Sequence, residues 1–97
     1  MTITRLDLQL KRTEILDIAR QCGAHHLRIF GSLARGDNTE ASDVDFLVQF
    51  DPGRTLLDHA GLIGRLEDML GVPVDVIDAD AMRPRFRAVV EKEALTL

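Results

Sequence analysis

Asp43 and Asp45 stand two residues apart at the head of Val44–Phe50, a run of strand composition. A β-strand alternates its side chains, so both carboxylates point to one face while Val44, Phe46 and Val48 point to the other. Their Cα atoms are expected about 6.6 Å apart, near enough to grip one divalent ion or a pair of ions roughly 3.5 to 4 Å apart. Without a cation two such carboxylates repel, and one of them tends to keep its proton. Just upstream, an apolar run ending at Phe30 delivers Gly31 and Ser32 to the start of a short helical stretch, 31–36. Free backbone N–H groups and the helix dipole there suit an anion. One half of the segment therefore offers phosphate donors and the other offers metal ligands, the two things a metal–nucleotide complex needs.

The pattern Gly31-Ser32, Ala34-Arg35-Gly36, Ser42 and Asp43-x-Asp45 resembles the signature of the DNA polymerase beta superfamily of nucleotidyltransferases, in its minimal (MNT) branch. The likeness continues through Leu66-Glu67, Leu70-Gly71 and Val74-Asp75-Val76-Ile77 to a closing helix with Glu91 and Glu93. It covers the chain from about Gly23 onward. Either half of the signature alone is common; the pairing of Gly-Ser with Asp-x-Asp at this spacing is specific.

Other readings of the same residues fail on particular positions. Gly31 to Gly36 has the Gly-x-x-x-x-Gly of a P-loop, but Asp37 and Asn38 occupy the places of the Lys and the Ser or Thr. The acidic link from Asp37 is not an EF-hand, since its sixth position is Ser42 and its twelfth is Val48. His25 and His26 are adjacent, so on a strand they face opposite ways, and no Cys or further His lies at ligand spacing. Structural or surface roles are expected for both, and a surface role for His59.

The 97 residues are expected to form a single domain, 1–97, with one core. An apolar share of 45% with 29% charged residues is that of a globular chain, not a disordered one. No apolar run approaches the length of about 18 residues that marks a membrane span, and the N-terminus lacks a signal-peptide core. The lone Cys22 allows no internal disulfide, and a cytoplasmic location is the expectation. A formal charge of −4 argues against a general nucleic-acid binder, whose affinity rests on clustered Lys and Arg.

The elements that must position the site follow from periodicity. Residues 6–21 are predicted as one amphipathic helix stopped by Gly23, and 27–30 as a short strand. Val44–Phe50, an almost continuous apolar run, is the best strand and is expected to be buried on both faces. Leu56–Leu70 reads as a second amphipathic helix, 72–77 as a third strand, and Pro84–Glu93 as a last helix with Phe86, Val89 and Val90 as its buried stripe. Asp78 and Asp80 are assigned turn and cap roles. The order implies an α/β (α+β) sandwich on a small sheet of about three strands. Its mixed strand directions and palm-like form are what the resemblance implies.

The resemblance also implies an activity: transfer of AMP from ATP to an acceptor hydroxyl with loss of pyrophosphate. In that reading Asp43, Asp45 and Asp75 are the catalytic, metal-binding carboxylates for two Mg2+ ions, and Asp75 takes the acceptor's proton. Gly31, Ser32, Arg35 and Ser42 bind the nucleotide. Minimal members resemble the antitoxin half of HEPN/MNT toxin–antitoxin pairs, in which the transferase modifies a tyrosine of the HEPN ribonuclease toxin. A hetero-oligomer with a cognate HEPN toxin is therefore expected, with no direct nucleic-acid or membrane partner. The competing readings are a non-catalytic antitoxin acting by binding alone and a stand-alone small-molecule nucleotidyltransferase. Three converging, buried acids are expected to have no use in a pure binding module.

Overall fold

A computed structural model describes residues 2–97. The predicted helix over 6–21 is two helices, α1 (Arg5–Leu10) and α2 (Arg12–Gln21), broken at Lys11. Thr4 caps α1 through a reciprocal box with Asp7, which starts a helix earlier than the apolar spacing indicates. The bend at Lys11 lets both Leu8 and Ile15 reach full burial, and Arg12 Nε donates to the Leu97 carbonyl at 2.8 Å. Cys22 ends α2 as a buried free thiol.

β1 (Ala24–Phe30) begins three residues before the predicted strand. Its register shifts between His25 and Arg28, where His26 takes a positive φ of 52°. That irregularity puts both histidines in polar contacts: His25 Nδ1 lies 3.0 Å from Asp51 Oδ1, and His26 Nδ1 lies 3.2 Å from Gln49 Oε1. α3 (Gly31–Arg35) follows directly and ends at Gly36 in the left-handed conformation. β2 (Val44–Phe50) has Val44, Phe46, Leu47 and Val48 all buried, so it is covered on both faces. α4 (Leu56–Leu70) has the predicted bounds; it starts at a Thr55–Asp58 capping box and stops at Gly71. His59 on α4 is a correction to the surface role expected of it. Its Nε2 lies 2.6 Å from the Val76 carbonyl and its ring stands 5.2 Å from that of Phe50.

β3 (Val74–Asp78) leads into a 3-10 turn, Ala79–Ala81, capped by Asp78, whose Oδ1 accepts from the Asp80 N–H at 2.9 Å. After α5 (Pro84–Glu93), the short β4 (Leu95–Thr96) adds a fourth strand where three are predicted. Two residues carry too little pattern to read as a strand; only the neighbouring edge of β1 makes them one. The sheet order is β3-β2-β1-β4, with β1 antiparallel to β2 and β4, and β2 parallel to β3. The mixed palm-like sheet packed with helices is as expected.

The core lies on one face of this sheet, where Val44, Phe46, Val48, Val74 and Val76 meet Ile15 and Ala19 of α2 and Leu62 and Leu66 of α4. The other face carries α3 and α5, and here the sequence pattern misleads. α5 has no buried residue, and Phe86 and Val89 of its predicted buried stripe are each 66% exposed. The helix is held instead by its charged side. Glu91 Oε1 accepts from Arg28 Nη1 at 3.1 Å and from Arg87 Nε at 3.2 Å, and Arg87 reaches Asp80 at 3.0 Å. Among the described residues, Arg28, only 7% exposed, has no hydrogen-bond partner for its Nε and Nη2. Both guanidiniums hold the Glu91 carboxyl below its ordinary range, Arg28 most strongly. Among the described residues no helix is long and apolar enough to cross a membrane.

Candidate active site

β1 hands the chain to α3 at Phe30, whose cross-strand partner is Asp45. Cross-strand partners share a face, so the turn opening α3 is delivered beside the Asp45 carboxylate. Gly31 takes φ +72°, and a Cβ at that position would run into Asp45 Oδ2. Only glycine permits both the backbone conformation and the close approach.

The parallel ladder between β2 and β3 pairs Asp45 with Asp75 as direct Cα partners, and Asp43 precedes the ladder's first pair, Val44 with Val74. The three predicted carboxylates therefore belong to one face of two neighbouring strands. They are not a buried cluster: Asp43 and Asp75 are exposed and Asp45 is half-buried. A strand end and an exposed sheet face leave them open to water, which lowers the cost of three like charges. Burial raises the Asp45 carboxyl above its ordinary value, with Asp75 and then Asp43 adding to the rise.

Asp43, Asp45 and Asp75 supply oxygen donors only, the set preferred by a hard divalent cation such as Mg2+. The mutual repulsion felt by Asp45 is what a cation would relieve, so the residues fit one. Among the described residues, as their side chains stand, no three potential ligands close around a common point.

The four predicted nucleotide-binding residues divide. Ser32, half-buried at the start of α3, has a hydroxyl with no hydrogen-bond partner among the described residues. Its carbonyl accepts from the N–H groups of Gly36 and Asp37 at 2.9 and 3.1 Å, closing the loop beneath it. The Gly31 N–H, expected to be free, donates to Glu93 Oε1 at 2.8 Å. Arg35 is bracketed by two acids, its Nε donating to Asp37 at 3.1 Å and its Nη1 to Glu93 at 2.9 Å. Ser42 is turned to the backbone, where its Oγ accepts from the Thr39 N–H at 2.9 Å and braces the link before β2. Glu93 is the site residue to which the sequence assigns no role. Its partners lie 62 and 58 positions away, a separation that no local pattern reports.

Comparison with known proteins agrees with this arrangement. The family model described as a nucleotidyltransferase domain matches residues 13–97. The chain is 38% identical over 87 residues to a provisionally named protein adenylyltransferase of Methanocaldococcus jannaschii, covering 90% of this chain and 92% of that protein. It is 32% identical over 79 residues to the protein adenylyltransferase MntA of Thermococcus cleftensis, covering 81% of this chain and 80% of that one. A solved structure provisionally described as a minimal nucleotidyltransferase superposes with a TM-score of 0.89 at 44% identity, over 98% of this chain and 97% of the other. A toxin–antitoxin crystal structure with AMP-PNP shares the fold, with a TM-score of 0.75 at 20% identity over 87% of this chain and 69% of that one. With its Gly-Ser turn set against paired strand aspartates, the chain belongs to the nucleotidyltransferase domain family, in its minimal branch.

Proposed function

We propose that this protein is an antitoxin adenylyltransferase: it transfers AMP from ATP to a tyrosine hydroxyl of a cognate HEPN ribonuclease toxin and thereby neutralises it. The observation that carries this reading is the placement of Gly31 against Asp45, with Asp75 beside Asp45 in the parallel ladder. Phosphate donors and acidic ligands meet there within one short segment. Relatives named protein adenylyltransferases support the AMP and the protein acceptor. The shared fold of a toxin–antitoxin structure with AMP-PNP, together with the sequence resemblance, supports the toxin partner.

In the reaction the acceptor oxygen forms a bond to the α-phosphorus, the bond from that phosphorus to the β-bridging oxygen breaks, and pyrophosphate leaves. Asp43, Asp45 and Asp75 would hold two Mg2+ ions, which when bound neutralise phosphate charge and make the hydroxyl a better nucleophile. Ser32, whose hydroxyl has no hydrogen-bond partner among the described residues, donates to the β- and γ-phosphates. Gly31 lets the phosphates approach the backbone closely. Arg35, already shared between Asp37 and Glu93, presents its remaining N–H groups to the phosphates. Asp75, exposed at the sheet face, is open to an incoming acceptor and takes its proton. Ser42 acts through the Thr39 turn that fixes the approach to Asp43.

Asp75 lies exposed at the sheet face, and the acceptor docks over this open site as a folded partner. Adding AMP beside the toxin's RNA-binding surface places an anion where it repels the substrate's phosphates. The test is co-incubation of the HEPN protein encoded beside this one with the transferase, ATP and Mg2+, followed by intact-mass measurement of the HEPN protein. A gain of AMP units with loss of ribonuclease activity is expected. An unmodified toxin inhibited equally by the wild type and by Asp43→Asn would replace transfer with neutralisation by binding.

A further inference from the structure

We propose that Glu93 is a positioning residue for the triphosphate, acting as the N-terminal cap of α3 from the far end of the chain. The inference rests on the reading that the triphosphate binds at Gly31-Ser32. α3 is five residues long and cannot hold its own first turn, because a helix this short has scarcely any internal hydrogen bonds. Its N-cap position is Phe30, which makes no side-chain cap hydrogen bond. A side-chain oxygen must come from elsewhere.

Glu93 Oε1 supplies it. That one oxygen accepts from the N–H of Gly31, the first residue of α3, at 2.8 Å, and from the guanidinium of Arg35, the last, at 2.9 Å. The carboxylate so ties both ends of the loop to α5. On its other side Gly31 lies against Asp45 Oδ2. The glycine is thus clamped between two acids of different purpose, one facing the metal-binding face and one fixing the backbone. The hydroxyl of Ser32, the next residue, has no hydrogen-bond partner among the described residues. Glu93 touches neither phosphate nor acceptor in this scheme; it acts by holding the groups that do.

The opposite role is physically open and makes the inference testable. A carboxylate on an anion-binding turn could be a plug that the triphosphate must displace, and then removing it would tighten binding. Three substitutions separate the two roles. Glu93→Gln keeps an acceptor oxygen at full reach and removes the charge. Glu93→Asp keeps the charge and withdraws the oxygen by one methylene. Glu93→Ala removes both. Calorimetry of Mg·ATP binding should show about a tenfold loss for Ala and Asp, the scale of one charge-assisted hydrogen bond, with Gln at wild-type affinity or better. Amide exchange of Gly31, read in the same proteins without nucleotide, should speed up in Ala and Asp and be rescued in Gln. Wild-type or tighter binding by Glu93→Ala and Glu93→Asp overturns the inference, as does unchanged Gly31 exchange. A wild-type protein that fails to bind Mg·ATP sinks the proposed function instead, and the exchange experiment still reads the brace by itself.

Discussion

Asp45 and Asp75 are direct partners in the parallel ladder between β2 and β3, and burial first, then the repulsion of that pairing, raises the Asp45 carboxyl above its ordinary value. A carboxyl raised by folding binds more protons in the native state than in the unfolded one. Stability is then highest below the ordinary value and falls as the pH rises through the folded value. Ionised Asp45 is therefore a burden at neutral pH. Asp45→Asn should raise the melting temperature of the metal-free protein at pH 7 and have little effect at pH 3. Mg2+ should stabilise the wild type at pH 7 more than in acid, and should not stabilise Asp45→Asn to the same extent. Thermal melts at the two pH values with and without Mg2+ read all of these.

The three carboxylates Asp43, Asp45 and Asp75 give a catalytic expectation. Asp43→Asn and Asp45→Asn should each cut AMP transfer by about a hundredfold or more, since even groups one step removed from a metal cost 10- to 100-fold. The circular dichroism spectrum should be unchanged, because the volume is kept. Asp75→Asn should still bind ATP with Mg2+ yet fail to transfer. A transfer assay with radiolabelled ATP checks the three together; near-wild-type transfer by both Asp43→Asn and Asp45→Asn would remove the two-metal assignment.

Ser32→Ala should weaken Mg·ATP binding by about 1 to 3 kcal/mol, the scale for a hydrogen bond to a charged group. Binding should require the divalent cation, so EDTA should abolish it in a calorimetric titration. Tight binding in EDTA would place the nucleotide elsewhere.

Gly31→Ala and Gly36→Ala separate strain from collision. Both glycines have positive φ, +72° and +82°, but a Cβ at Gly36 meets open space whereas one at Gly31 meets Asp45 Oδ2. Gly36→Ala should cost about 1 kcal/mol in stability, the conformational penalty alone. Gly31→Ala should cost more, and it should lose transfer because it displaces Asp45. Denaturant melts and the transfer assay distinguish them.

α5 should be the least protected long helix in amide hydrogen exchange. It has no buried residue and is anchored by Arg28, Glu91 and Arg87, whose partly exposed pairs salt weakens. Glu91→Gln should accelerate exchange along α5 and lower the melting temperature, since it strips buried Arg28 of its one ionic partner among the described residues.

Part of this protein is written by local rules along the chain. Alternation along Val44–Phe50 placed Asp43 and Asp45 on one face and the core on the other, and the apolar period marked out α4. The Gly-Ser and Asp-x-Asp spacing pointed to the family. Local rules stop where a partner is distant. The pairing of Asp45 with Asp75 is a choice of strand neighbour and register, made by β2 and β3 packing side by side over α4. The exposure of Phe86 and Val89 runs against their periodicity, because buried Arg28 draws the charged side of α5 inward. Glu93 reached Gly31 for the same reason: a helix docked by its charges brings a carboxylate across 62 residues to a turn that cannot cap itself. The first of these points turns on long-range strand pairing and the other two on where a buried or half-buried charge finds its partner, and neither, unlike hydrophobic period, has a signature along the chain.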